Sequence, residues 1–278
     1  MEQMQKLTDL EKIFAELENY RNNSETSSEL NWEDYEFGKN FYRNVYREKE
    51  QTVTETAFIN EKLRLKPGAK ILDLGCGGGR NAIELAEAGF KLTGIDLNKY
   101  ALEQAEINCP ANLKINFIHE NILNINYYEQ FKAVILIFNH FTSFDRLSIK
   151  KLLNRIASAL EDGGKLLIDI PSVSHARSLD GVQEWQITNS WLSGDFKQLV
   201  LSENSFDENS LVHLRHDYCL RLADGKLDKY TQTSYLYEPE ALAQLFKLFG
   251  LKLVTAFGDW QGKPYDENAE QLLIIGQK

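Results

Sequence analysis

The stretch Ile71-Leu72-Asp73-Leu74-Gly75-Cys76-Gly77-Gly78-Gly79-Arg80 decides the fold of this chain. Residues 70–74 form a short apolar run that reads as a strand, and a helical pattern follows from about 81 to 88. Between them, glycines at 75, 77 and 79 allow backbone conformations closed to residues with a Cβ and let a ligand approach the main chain. Strand, glycine turn and helix together open a nucleoside-binding βαβ unit. The next strand, 91–95, runs into Asp96. An acid at that point, about 20 residues past the glycines, can accept hydrogen bonds from both ribose hydroxyls. A lone glycine run would say little, but glycines, strand and acid in register say much.

Working outward, the pattern stays alternating. A helix is expected over 99–108 and strands over 115–119, 133–138 and 165–170. A helix over 146–160 should end at the stop Asp162-Gly163-Gly164. Strands alternating with helices of this length imply right-handed βαβ units and a parallel sheet covered on both faces. Near Pro171 the rhythm breaks, and 197–206, 210–222 and 226–237 read as an antiparallel meander with turns at 207–209 and 223–225. A helix over 239–249 and strands over 252–256 and 271–275 return to the core, the last two as a hairpin at the sheet edge. The fold class is therefore α/β: a Rossmann-like, mostly parallel, seven-stranded sheet with helices on both faces. The meander is inserted as a lid.

On the N-terminal side, 1–20 reads as a short helix and 21–31 as a polar loop. Trp32, Tyr35, Phe37, Phe41, Tyr42 and Tyr46 then lead into a helix reaching about 64. These rings either pack that helix onto the core or line a pocket. Three parts follow: 1–64, a helical segment over the cofactor; 65–174 with 238–278, the core; and 175–237, the lid or substrate subdomain.

Which nucleoside fits is a question of charge. The dinucleotide fingerprint needs a small residue one place beyond Gly79, and that place holds Arg80. Asp73, not a base, precedes the turn, and a carboxylate there suits a ligand carrying an ammonium and a sulfonium, namely S-adenosylmethionine. An NAD(P)-dependent oxidoreductase is the disfavoured reading.

From about Tyr35 to Lys278 the chain resembles the class I S-adenosylmethionine-dependent methyltransferases. Their acidic strand end and glycine turn are matched by Asp73, Gly75, Cys76, Gly77 and Gly79, and their ribose-binding acid by Asp96. The resemblance implies Leu97 beside the adenine, Asn121 at its amino group in place of the usual aspartate, and the backbone of Ile122 at the ring edge. It puts Phe138 beside the cofactor and Asn139, His140 and Phe141 between cofactor and substrate. The meander and the ending Gly258 to Asp266 resemble a bacterial branch acting on small molecules, amino-sugar N-methyltransferases among them. That branch often has Arg-Thr where this chain has Gln51-Thr52, and an aromatic where it has Ser143.

The implied activity is in-line transfer of a methyl group from S-adenosylmethionine to an N or O nucleophile of a small molecule, leaving S-adenosylhomocysteine. A catalytically silent cofactor-binding protein of the same fold is the alternative. His140 is the candidate base or orienter, with a hydrogen-bonded pocket-wall histidine as the bland reading. Tyr46 is assigned to the cofactor and Tyr42 to the substrate side, with packing as the competing role. Asp259 and Tyr265 are weighed between the substrate side and a hairpin turn. Cys76 reads as a small filler, and His213, Arg215 and His216 as surface residues of the meander.

Composition sets the partners. The chain has 278 residues, 31 basic against 41 acidic side chains, and a net charge of -10. That sign repels phosphate backbones, so nucleic acid is not the expected partner. No apolar run of the roughly 18 residues needed for a membrane span occurs. The N-terminus carries no secretory pattern. Three cysteines without metal-type spacing argue against a disulfide framework or zinc site. The expectation is a cytoplasmic protein, without a metal, monomeric or a homodimer through the meander.

Overall fold

Burial on both faces gives the central strands their nearly continuous apolar composition. The computed structural model describes residues 28–45 and 49–278, so the expected helix over 1–20 and Tyr46 lie outside the described residues. In it β2 (Lys70–Leu74) is buried from Ile71 onward and stands in the middle of a seven-stranded sheet. The order is β11 (Lys252–Phe257), β12 (Gln271–Gln277), β6 (Leu160–Pro171), β5 (Phe131–Leu136), β2, β3 (Lys91–Asp96) and β4 (Asn116–His119). Strands β4, β3, β2, β5 and β6 pair in parallel, while β12 pairs antiparallel with both β6 and β11.

Each face of the sheet carries its own core. On one, α5 (Arg146–Ala159) and α7 (Pro239–Lys247) pack Ile149, Leu152, Ile156, Leu242 and Phe246 against Leu72, Val134 and Ile168. On the other, α2 (Lys49–Leu63) and α3 (Arg80–Glu87) pack Phe58, Ile59, Leu63 and Leu85 against Ile71, Ile135 and Leu273. Alternate residues of the same strands serve opposite cores, as a pleated strand requires. Helix α4 (Lys99–Asn108) is capped by Asn98, whose side chain accepts from the Ala101 amide. The Asn98 amide nitrogen also donates to the carbonyls of Trp32 and Asp34 at 2.9 and 3.0 Å. One side chain thus ties the segment before α1 (Tyr35–Val45) to the core.

The inserted part is a second sheet. Strands β7 (Gln183–Thr188), β8 (Gln198–Asp207), β9 (Val212–Arg221) and β10 (Leu227–Tyr235) form an antiparallel meander, with β1 (Ser28–Glu29) parallel on β10. Arg146, at the start of α5, holds it to the core, donating to the carbonyls of Leu236 and Ser210 at 2.9 and 3.0 Å. Its guanidinium also lies 4.1 Å from the Tyr237 ring centre.

Several expectations need correction. The segment Asp162-Gly163-Gly164 does not stop a helix: α5 ends at Ala159, and Leu160, fully buried, pairs at once with Phe131. Gly163, at φ 72°, lies in the outward excursion where that ladder shifts register. The strand expected over 133–138 ends at Leu136, because Phe138 and Asn139 adopt left-handed φ values of 72° and 60°. The single helix expected before residue 64 is two, and β7 and the short α6 (Val173–Ser178) are additions. His213, Arg215 and His216 are part-buried rather than surface residues. His213 pairs with Asn204, His216 with Thr231, and Arg215 with Ser202 and Asp217.

Candidate active site

The chain runs from β2 outward to β3 and β4, then returns to β5 on the other side of β2. The carboxyl ends of β2 and β5 therefore flank a crevice at the point where strand order reverses, the place where α/β sheets bind ligands. The glycine loop is fastened there by the end of β3. The Gly75 and Cys76 amides both donate to the Ile95 carbonyl, at 2.7 and 3.0 Å. Asp96 accepts from the Gly77 amide on one carboxylate oxygen and from the Asn98 amide on the other, each at 2.8 Å. Gly77 is at φ 54°, and a Cβ there would come within 2.5 Å of the Tyr42 hydroxyl, so neither backbone nor space admits another residue.

Two cavities open from this loop. The larger, about 400 Å³, is bordered by Asp96, Leu97, Asn121 and Ile122 from the core and by Thr231, Gln232, Thr233 and Tyr235 from β10. The smaller, about 60 Å³, lies among Asp73, Gly75, Cys76, Gly77, Arg80, Asn81 and Phe138, with Phe41 against it from α1. Trp32, Tyr42, Gly75 and His140 border both, so the two cavities share a wall that includes the His140 imidazole. That ring lies over Gly75, where a Cβ would be 3.0 Å from its Nδ1. Trp32 and Phe138 stand beside it, with ring centres at 6.3 and 6.4 Å.

Burial sets the electrostatics. Asp73 is 2% exposed, and loss of water pushes its carboxyl up to about 7, with Arg80 nearby opposing the shift. Burial also raises Asp96, opposed by the backbone amides of Asn98, Gly77 and Leu97 and, where it is protonated, by His140. His140 is lowered by burial, the negative charge of Asp96 opposing, and is a neutral imidazole at pH 7. Burial raises the Tyr42 hydroxyl and the Cys76 thiol well above their ordinary values. Cys76 is no thiolate; its sulfur fills the space above Gly94, where a Cβ would lie 2.8 Å from it.

Of the residues singled out from sequence, Tyr42, Asp73, Gly75, Cys76, Gly77, Asp96, Leu97, Asn121, Ile122, Phe138 and His140 border one or both cavities. Others do not. Gly79 faces the helix-sheet contact, where a Cβ would be 3.0 Å from Ala105 and from Phe117. Asn139 turns the chain, its amide donating to Asp169 and its carbonyl accepting from Thr142. Phe141 is fully buried in the core against Tyr237, which removes it from the substrate side. Asp259 caps its own turn by accepting from the amides of Gln261 and Lys263, and Tyr265 packs against the core from the same loop. The Asn121 side-chain oxygen accepts from the Leu123 amide, leaving its second lone pair for a ligand. Sequence reading placed the 226–237 strand in the lid but named none of its cavity residues Thr231, Gln232, Thr233 and Tyr235, and it missed Asn81 and Arg80 as cavity walls. Arg80 had a local signal, since it directly follows the last glycine.

The cavities fit S-adenosylmethionine on three counts. Asp96 presents a carboxylate to the larger cavity, Asp73 presents one to the smaller, and the glycine loop between them borders both through Gly75. Comparison with known proteins agrees. A family model described as a methyltransferase domain matches residues 71–164. A protein of Geobacillus sp. (strain WCH70), provisionally named a methyltransferase, is 24% identical over 229 residues, covering 80% of this chain and 91% of its own. SAM-bound CalS10, an amino pentose methyltransferase from Micromonospora echinaspora, superposes with a TM-score of 0.62 at 16% identity, over 85% of this chain and 94% of its own. The sugar N-methyltransferase KedS8 of a Streptoalloteichus species gives 0.63 at 18%, over 91% and 96%. At those identities the two structures establish the fold.

Proposed function

We propose that the chain is a class I S-adenosylmethionine-dependent methyltransferase that methylates a neutral amine of a hydroxylated small molecule, a reading supported by the methyltransferase-domain match, the relative similarly named and the shared fold. Bound S-adenosylmethionine supplies an electrophilic methyl carbon on a positively charged sulfur. Asp96, Leu97, Asn121 and Ile122 would hold its adenosine half and Asp73 its amino-acid half, with Phe138 beside it.

The observation that carries the reading is the chemistry of the lining. Buried Asp73 lines the smaller cavity with the rings of Phe41 and Phe138 and the guanidinium of Arg80, buried Asp96 lines the larger, and the Trp32 ring borders both. Carboxylates and ring faces both favour positive charge. Methylating a neutral amine keeps the positive charge inside this lining. Methylating an oxyanion would bring a negative charge into a lining whose burial already disfavours ionised carboxylates, and would end with the positive charge cancelled. His140 is neutral at pH 7 and borders both cavities, so its imidazole can orient the amine and accept the proton it sheds. The hydroxyls of Thr231 and Thr233 and the Gln232 amide give the roof polar partners for a hydroxylated acceptor. The amino pentose and sugar named for the two structural relatives are acceptors of this kind.

Mass-spectrometric methyl transfer to matched amines, alcohols, phenols and carboxylates tests this. Amines should be methylated in preference, and His140→Gln should lower kcat by about 10²–10⁴ while leaving S-adenosylhomocysteine binding intact. Preference for oxygen acceptors would overturn the amine assignment.

A further inference from the structure

At the carboxyl end of β5 the backbone takes a course that its residues resist. Phe138 and Asn139 adopt φ values of 72° and 60°, one after the other. Glycine takes such angles freely, whereas residues with a Cβ keep them only where their surroundings hold them. Asn139 is held at both ends. Its amide donates to Asp169 Oδ1 at 3.0 Å. Its carbonyl accepts from the Thr142 amide at 3.1 Å and from the Thr142 hydroxyl at 2.8 Å. Phe141, fully buried against Tyr237, fixes the chain beyond. His140 stands between these fixed points.

Asp169 is out of character with its own strand. The ladder between β5 and β6 ends at the pair Leu136 and Ile168, so Asp169 is the next residue, where β5 has left the sheet. Its Cα partner on β12 is Leu273, and Leu167 shares its face. All three are fully buried. An apolar side chain would continue that face without the desolvation cost of a carboxyl. Asp169 instead reaches past the end of the ladder to an amide beyond the last strand pair.

What this grip sets is the place of a ring. Phe138 borders the smaller cavity and His140 borders both. The imidazole lies so close over Gly75 that a Cβ there would be 3.0 Å from its Nδ1 and Cε1. Relaxation of residues 138 and 139 to negative φ would redirect the chain just before His140 and carry the ring off the loop. We propose that Asp169 is a positioning residue, whose side-chain oxygen holds the Asn139 amide and so fixes the left-handed turn that sets the His140 imidazole over the glycine loop. It acts as an acceptor, since the negative group acting on the imidazole is Asp96. The ring's part in the reaction rests on the function proposed above, whereas its placement does not.

NMR of the free protein reads the placement, through exchange of the Asn139 amide and titration of the His140 imidazole. Asp169→Ala should quicken that exchange and raise the imidazole toward its ordinary value, because a ring released from the loop regains water. With the amines of the panel above as acceptors, kcat should fall about tenfold to a hundredfold, while S-adenosylhomocysteine binding by calorimetry is kept. Asp169→Asn retains an acceptor oxygen at the same place and should rescue exchange, titration and kcat together. Should Asp169→Ala fail to fold, Asp169→Ser, one bond shorter and with room for a water at the amide, should move the same readouts the same way by less. Exchange and titration left unmoved by Asp169→Ala would overturn the proposal, and so would Asp169→Asn behaving like Asp169→Ala. An equal loss of kcat and of S-adenosylhomocysteine binding would also overturn it, since the whole site would then have collapsed. A ring released without loss of kcat would leave the hold of Asp169 standing and instead overturn His140's part in the reaction.

Discussion

Asp73 is a carboxylate that the fold buries at the end of the central strand, and its raised value near 7 records the cost of ionising it there. In the free protein that shift opposes stability as pH rises from the ordinary carboxylate range toward 7, since the folded state holds the proton more tightly than the unfolded one. A bound ammonium reverses the preference by favouring the charged form. Cofactor binding should therefore expel a proton below pH 7 and tighten as pH rises through that value. With half-protonation near 7, about 0.9 proton per site should leave at pH 6 and almost none at pH 8. Calorimetry of S-adenosylhomocysteine binding in buffers of different ionisation enthalpy measures this directly, and pH-independent binding without proton release would remove Asp73 from the ammonium site. At this scale the cofactor wall was legible because its residues lie at strand ends, where local pattern and position coincide. Phe141 was not, since a phenylalanine four residues past Ile137 can face cavity or core, and only the Tyr237 ring on the other side decides it.

Among the elements, Arg146 supplies several attachments of the lid to the core at once. Its two carbonyl bonds reach the β8–β9 turn and the end of β10, and its guanidinium covers Tyr237. Arg146→Ala should loosen the meander by about 1–3 kcal/mol. Hydrogen exchange should then quicken in β8 to β10 and stay unchanged in β2 and β5, whose amides lie between the two cores. Uniform acceleration would mean that lid and sheet open as one unit. The meander was readable in outline because its turns carry Asp-Glu-Asn and Ala-Asp-Gly. Strand β7 was harder: its outer edge is unpaired, and Gln183 to Ile187 are all exposed, so burial imposes no alternation on it. The misplaced helix stop has a similar cause. A glycine pair after a helical pattern looks alike whether it ends the helix or bulges a strand, and the partner across the ladder, Phe131, is distant in sequence.

For the molecule as a whole, the sheet places the crevice and the second sheet closes it. Five parallel strands bring the glycine loop, Asp96 and His140 to one edge, and β10 completes a cavity whose core walls come from four different strand ends. Among the described residues no helix is long and apolar enough to cross a membrane. On the reading proposed above, the two neighbouring cavities take one adenosyl ligand, with the adenosine on the Asp96 side and the charged amino-acid end on the Asp73 side. A co-crystal structure with S-adenosylhomocysteine tests it most directly. The account predicts the adenine against Leu97, Asn121 and Ile122, the ribose hydroxyls on Asp96, and the amino-acid end beside Asp73. An empty crevice, or the ligand bound elsewhere on the chain, would contradict it.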